Sequence, residues 1–241
     1  MPVDPLVVRA RGLWEDLAQV PVSFGPRPGS VDVVVSPRSR LCPRGWVGVV
    51  VLGGSAIVTA PTDGVARVVR DALGNLPVEA VVDGVLVQEA LPVGRVLGPA
   101  ALAYVSPANF RPAEAGALTV EQLPAAHPDL RALEQAAGEG DAGEASLDEV
   151  TSLAFVVREQ GRVVAAAGYR AWPRQTAHVS VLTAPDSRGR GLARVTGTAA
   201  VAQALAEGLL PQWRARTPAS RRVAGALGFA ELGFQLSIEV A

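Results

Sequence analysis

The sequence predicts an α/β protein in two parts, on three observations. Val-rich runs bounded by Gly and Pro alternate with stretches of helical apolar spacing along the 241 residues. A Pro-rich stretch, Pro107 to Pro112, interrupts that alternation and divides the chain into domains of residues 1–110 and 111–241. The charge also changes sign along the chain: residues 1–150 hold 11 Arg and 18 acids, net −7, and residues 151–241 hold 11 Arg and 5 acids, net +6. The overall charge of −1 therefore hides a bipolar molecule. Either the C-terminal half holds an anion, or the two halves present solvated faces of opposite sign.

Asp4 precedes Pro5 and an amphipathic stretch, so a helix is expected over 4–20 with Asp4 as its cap. Val31–Val35, Trp46–Leu52 and Ser55–Thr59 read as strands. The uncharged run between Arg44 and Asp63 is nearly long enough to span a bilayer, but Gly53-Gly54 sits in its middle, so it reads as two buried strands and a turn. Thr62–Leu73 has Val65, Val68, Val69, Ala72 and Leu73 on one side and reads as a helix. Val78–Leu91 is read as helix and Val96–Val105 as strand.

Residues 112–149 contain nine acids and one arginine, Arg131. Leu130, Leu133 and Ala137 predict a short helix there, Gly138–Gly143 a flexible break, and Ser146 with Glu149 a capping box. This segment reads as a mobile, solvated loop; alternatively, its acids steer a cationic molecule towards the protein.

Beyond it, Leu153–Arg158 and Arg162–Ala171 flank Gln160-Gly161 as a hairpin, and Ala177–Thr183 is a third strand. A Gly-rich stretch then opens a long helix whose apolar face carries Leu192, Val195, Ala199, Ala202 and Leu205. Pro211–Arg216 reads as strand, Pro218–Leu227 as helix and Gln235–Val240 as the closing strand, giving the order β-β-β-α-β-α-β.

Composition removes several functional classes. Cys42 is the single cysteine and reads as a small buried residue; His127 and His178 are the only histidines. No disulfide can close within one chain, and no metal site is expected. Mean hydropathy is +0.27. The N-terminus lacks a basic stretch followed by an apolar core, so no secretion signal is read and a cytoplasmic location is expected. All 22 basic residues are arginine, which with abundant Ala, Gly, Val and Pro fits a GC-rich bacterial source.

The chemistry concentrates in Val181-Leu182-Thr183-Ala184-Pro185-Asp186-Ser187-Arg188-Gly189-Arg190-Gly191-Leu192-Ala193-Arg194. A strand ends, the chain turns, and a helix begins. Its first N–H groups lack internal partners and sit at the positive end of the helix dipole, so they form an anion cradle. Gly189 and Gly191 let backbone approach a phosphate, and Arg188, Arg190 and Arg194 add charge. A pyrophosphate is the natural occupant. A Walker loop is excluded by the absence of Lys, and a Rossmann fingerprint by Arg194 at its third glycine position. A nucleic-acid reading of the Arg-Gly stretch lacks interleaved aromatics and a basic net charge.

Arg188-x-x-Gly191-x-Ala193, with Pro185 before it, is similar to the signature of the Gcn5-related N-acetyltransferase (GNAT) superfamily. Trp213, Thr217, Ala219-Ser220, Val223-Ala224 and Leu227-Gly228-Phe229 resemble the family's last strand and helix, closest to the FR47-like and zwittermicin-resistance-type two-domain acetyltransferases. The resemblance covers residues 150–241 well and 115–150 loosely. It implies a mixed, mostly antiparallel sheet flanked by helices, with 1–110 as an additional α/β domain of unknown role. It implies transfer of acetyl from acetyl-CoA to an amine by direct attack, without a metal.

Under that resemblance Val181, Leu182 and Thr183 would pair their backbone with the pantetheine arm, where two strands splay apart. Gly189 to Arg194, including Leu192 and Ala193, would hold the pyrophosphate with Arg188, and a backbone N–H near Val181–Leu182 would polarise the thioester carbonyl. Three family positions depart: Ala224 stands for a Tyr general acid, Thr217 for an Asn, and Gln212 for a Glu base. The catalytic candidates left are His178, as a base acting directly or through water, and Ser220, as a partner of the CoA sulfur or pantetheine. The bland readings are a strand histidine and a first-turn serine; Trp213 reads as core. A non-catalytic acyl-CoA-binding regulatory module is the competing reading. The acceptor's identity is not encoded in any motif; the acidic segment would favour a cationic one. Neither a membrane nor a nucleic-acid partner is expected, and a monomer or homodimer is compatible.

Overall fold

A computed structural model describes residues 4–25 and 28–240. Its contacts divide the chain into two compact units. One is the chain up to Ala103 together with Glu231 onward; the other is Tyr104–Ala230.

The first unit opens with α1 (Pro5–Leu17), where Asp4 accepts the Leu6 N–H at 2.8 Å and Pro5 starts the helix. Ala10, Leu13, Trp14 and Leu17 are its buried side. The strands β1 (Val31–Val35), β2 (Val47–Leu52) and β3 (Ser55–Ala60) follow. Gly53 and Gly54 turn the β2–β3 hairpin at φ +56° and +79°, the left-handed values a two-residue turn of this hand demands. The long uncharged run is thus two fully buried strands, and no described helix is long and apolar enough to cross a membrane.

Thr62 caps α2 (Asp63–Leu73) through the Val65 N–H, 3.3 Å. The expected helix over Val78–Leu91 is broken. Asp83 leaves helical geometry and its carboxylate accepts the Val85 and Leu86 N–H groups, so a 3₁₀ turn at Ala80–Val82 is followed by a fresh helix, α3 (Gly84–Ala90). Next comes β4 (Val93–Tyr104). Ala66, Val69, Leu73 and Val87 of the helices bury against Val49, Val58, Leu236 and Ile238 of the sheet.

In the second unit, β5 (Glu121–Leu123), β6 (Ala154–Glu159), β7 (Arg162–Trp172), β8 (Thr176–Thr183) and β9 (Leu210–Ala215) lie in the order β9-β8-β7-β6-β5. All pairings in it are antiparallel except β8 with β9, which is parallel. Its helices are α4 (Pro128–Ala137), α5 (Glu139–Ala145), α6 (Leu192–Ala206) and α7 (Pro218–Ala226). Alternation along the strands sorts the helices to opposite faces. Ala154, Val156, Ala166 and Leu182 pack with Leu130, Leu133 and Ala145 of α4 and α5. Phe155, Val157, Ala165 and Ala167 pack with Leu192, Val195 and Ala200 of α6.

Three further expectations need correction. Gly138–Gly143 is not a flexible break but mostly the helix α5, entered from Gly138 at φ +85°. Ser146 does precede a helical turn, the 3₁₀ segment Leu147–Glu149, but no capping box forms: it sits at φ 48° at the end of α5 and its hydroxyl donates back to the Gly143 carbonyl. The closing strand, β10 (Ala230–Val240), pairs antiparallel with β2, so the 231–240 segment packs within the first unit and not, as the division at residue 110 assumed, with the second. The register explains the pairing: Leu236 and Ile238 meet Val49 and Val47 and complete that apolar face.

Candidate functional site

The site begins where a strand pair comes apart. β8 and β9 are paired at Thr176–Leu210, Ala177–Pro211 and His178–Gln212, and there the pairing stops. β8 continues to Thr183 and β9 to Ala215. Val179–Thr183 stay paired with β7 on one side and leave the other edge without a strand. That opening leads into a cavity of about 750 Å³, lined by β8 from His178 to Thr183 and by Trp213 and Arg214 of β9. Ser187–Gly189, Gly191–Arg194 and part of α7 complete its wall, with Asp141, Glu144 and Ala145 of α5.

The predicted loop closes one end. Its turn is a short 3₁₀ segment, Pro185–Ser187, and Gly191 caps α6 in the left-handed region, φ 80° and ψ 0°. Gly189 is at φ +77°. A Cβ on either glycine would meet nothing within 4 Å, so φ, not crowding, is what requires glycine here. No side chain caps α6, a 15-residue helix; the Arg194 N–H turns back to the Gly191 carbonyl at 3.0 Å, while Leu192 and Ala193 begin the helix on the cavity wall.

The three loop arginines differ. Arg188 reaches Asp141 at 2.5 Å, and Arg190 grips Glu159 with both terminal nitrogens at 2.8 and 2.5 Å. Arg190 faces away to β6 and does not line the cavity. Among the described residues Arg194 has no ion-pair partner, and it does line the cavity. Of the predicted cofactor residues, then, Val181, Leu182, Thr183, Arg188, Gly189, Gly191, Leu192, Ala193 and Arg194 share one cavity wall, and Arg190 does not.

The catalytic candidates sit at the seam. His178 Nδ1 lies 2.5 Å from Gln212 Oε1. With that oxygen as acceptor, Nδ1 carries the hydrogen and Nε2 is left as the ring's acceptor. The ring stacks on Trp172, centroids 4.2 Å and planes 12° apart. Burial, then the field of Arg214, lower the His178 pKa to about 3, so the ring is neutral at physiological pH. Gln212 was noted in the sequence only as a departure; its partnership with His178 across 34 residues has no local signal.

Ser220 Oγ accepts the Trp213 Nε1–H at 2.9 Å and keeps its own hydrogen to donate. Thr217, at the family's Asn position, caps α7 through the Ser220 N–H, 3.2 Å. Trp213 also packs edge-to-face on Phe229, 5.5 Å. Cys42 is partly buried, its thiol donating to the Trp46 carbonyl, and burial pushes it up to about 11, away from nucleophilic use.

Much of the acidic 112–149 segment is helical, and five of its acids pair with arginines. Glu121 and Asp129 hold Arg158, Asp141 holds Arg188, Glu144 holds Arg216 and Glu149 holds Arg170.

A long thiol-bearing phosphate ester fits what is present. The unpaired β8 edge suits an amide-containing arm, Thr183 Oγ1 is buried on the wall without a partner, and the α6 terminus suits a pyrophosphate.

A family model described as GNAT acetyltransferase matches residues 150–233. The family resemblance read from the motifs therefore holds over that segment, while its FR47-like subtype finds no support there. No curated protein matches the sequence. Among solved structures, a GNAT-family protein from Novosphingobium aromaticivorans is 26% identical over 61% of this chain and 65% of that one, TM-score 0.49. A GCN5-related N-acetyltransferase from Kribbella flavida is 20% identical over 64% and 62%, TM-score 0.48. A Salmonella typhimurium protein whose structure includes acetyl-CoA is 18% identical over 50% and 91%, TM-score 0.39. The chain thus spans less than two-thirds of the first two.

Proposed function

We propose that this chain, whose residues 150–233 match the GNAT acetyltransferase family, moves an acetyl group from acetyl-CoA to the amine of an acceptor. The observation that carries this reading is the parting of β8 and β9 after the His178–Gln212 pair, which exposes a bare strand edge to a cavity ending at the glycine-started helix.

Bound acetyl-CoA would supply an activated acyl carbon. The protein's part is to bind, orient and move a proton. N–H groups of the Gly189–Arg194 turn, with Arg188 and Arg194, receive the pyrophosphate, and the Val179–Thr183 edge aligns the pantetheine arm. Holding amine and acyl carbon together supplies much of the rate. The N–C bond forms as the C–S bond breaks; the amine's proton leaves and the thiolate is protonated on departure. His178 Nε2 accepts a hydrogen bond from the incoming amine and orients its lone pair. With a conjugate acid near 3 it is a weak base, so the proton passes on to water. Ser220 has a hydrogen to offer the departing sulfur.

Ala224 and Gln212, standing where relatives carry an acid and a base, favour a second reading: the same cavity holds acyl-CoA for regulation without turnover. Calorimetric titration with acetyl-CoA, on the wild type and on Gly191→Glu, tests both. Micromolar binding lost in the variant is expected. No binding by the folded wild type refutes both readings, and binding without turnover over a broad amine panel selects the second.

A further inference from the structure

The helix α5 lies against the cavity that the parted strands open. Asp141 and Glu144 stand three residues apart on it, so they share one side of the helix, and both line the cavity. Each acid holds one lip of the opening. Asp141 takes Arg188, in the turn that follows β8, at 2.5 Å, and Glu144 takes Arg216, just past the end of β9. The short helix thus fastens together the two strands that separate after the His178–Gln212 pair.

These carboxylates face a wall that suits an anion. Arg188 and Arg194 line it with the glycine turn. A pyrophosphate arriving there brings negative charge to a wall that already carries two carboxylates, and it needs the guanidinium that Asp141 occupies. Both ion pairs reach solvent, so each is weak and a more highly charged anion outcompetes it.

α5 is also built loosely. Seven residues are too few for a helix to stand alone, and Gly140 and Gly143 weaken its interior. Packing does not demand those two glycines, since a Cβ on either meets nothing within 4 Å. Among the helix's residues only Ala145 is buried in the core beneath it.

Resting on the acetyltransferase reading, we propose that α5 is an acidic strap that acetyl-CoA displaces. Before the cofactor binds, Asp141 occupies Arg188 in place of a phosphate and Glu144 fastens the other lip. The pyrophosphate takes Arg188, the bound charge repels Asp141 and Glu144, and α5 loosens from both lips. Binding and strap release form one coupled equilibrium. Whatever strengthens the fastened strap weakens binding, and whatever weakens the strap tightens binding.

Hydrogen–deuterium exchange on the full chain, alone and saturated with acetyl-CoA, reads the strap directly. Amides of residues 139–145 should exchange about fivefold faster in the complex, the factor that one exposed ion pair represents, while those at the start of α6 slow down. Two variants, each checked for native circular dichroism, push the equilibrium in opposite directions. Asp141→Asn with Glu144→Gln should tighten acetyl-CoA binding about fivefold in calorimetry and show fast exchange without ligand. Gly140→Ala with Gly143→Ala stiffens the helix without meeting a neighbour and should weaken binding about fivefold. Unchanged or slower exchange at 139–145 in the wild-type complex overturns the proposal, as does weaker binding by the neutralised variant or tighter binding by the alanine variant. Folded wild type that binds no acetyl-CoA instead removes the acetyltransferase reading itself, and the strap with it.

Discussion

Replacing Gly228 by alanine should damage the second unit far more than the same change at Gly191, although both glycines have left-handed backbones. Gly228 is at φ +89° and Gly191 at φ +80°. That geometry costs an L-residue roughly 1–2 kcal/mol in either place. At Gly191 nothing else is added, because no atom lies within 4 Å of the new Cβ. At Gly228 the Cβ would stand 1.9 Å from the Asn109 carbonyl oxygen, well inside contact distance. The chain around Asn109 must move, which costs about 1–3 kcal/mol as overpacking. The hydrogen bond from the Arg111 N–H to the Leu227 carbonyl, 3.0 Å, is then lost or stretched, about 1 kcal/mol more. Gly228→Ala should therefore exceed Gly191→Ala by about 2 kcal/mol or more. In urea unfolding followed by circular dichroism, with a slope of about 2 kcal/mol/M, that is a midpoint about 1 M lower. Coincident midpoints would refute the steric argument and reduce the Leu-Gly-Phe glycine to a turn preference.

Other outcomes follow from single groups. The His178 pKa is lowered to about 3 from an unfolded value near 6.5. Its contribution to stability is therefore complete above about pH 6.5 and is lost as pH falls towards 3. His178→Gln should flatten part of the acid loss in urea midpoints between pH 7 and 4, and an unchanged profile would contradict the shift. Asp141→Ala frees Arg188 of an exposed pair worth at most about 1 kcal/mol, so affinity for inorganic pyrophosphate should rise by up to about fivefold, less at high salt. Weaker binding would show that Asp141 holds Arg188 in its binding position. Tyr169→Phe removes a 2.7 Å hydrogen bond to Glu207 at the end of α6, and a loss of about 1 kcal/mol in chemical unfolding is expected.

The loop from Pro185 to Arg194 was legible because its signal is local. Glycines at required dihedrals, a helix start and nearby arginines all lie within ten residues. The hairpins at Gly53-Gly54 and Gln160-Gly161 were legible for the same reason: turn chemistry and alternating strands are contiguous in sequence. The helix over 78–91 was misread because Asp83 competes for backbone donors, a contest that apolar spacing alone does not reveal.

Sequence alone determined the run of strands and helices from Ala154 to Ala226, the family resemblance over residues 150–233 and the glycine-started helix α6, since each rests on short-range geometry or on contiguous motifs. Tertiary structure alone decided three things. It placed β10 beside β2, because pairing partners so far apart in the chain, such as Gly233 with Leu52 and Ile238 with Val47, are chosen by register and apolar fit. It joined Gln212 to His178 where β8 and β9 separate, because that contact exists only once two strands run parallel. And it paired Glu121, Asp129, Asp141, Glu144 and Glu149 with arginines from the other side of the charge divide, because ion pairs form between residues that folding brings together, whatever their net charge per segment suggests.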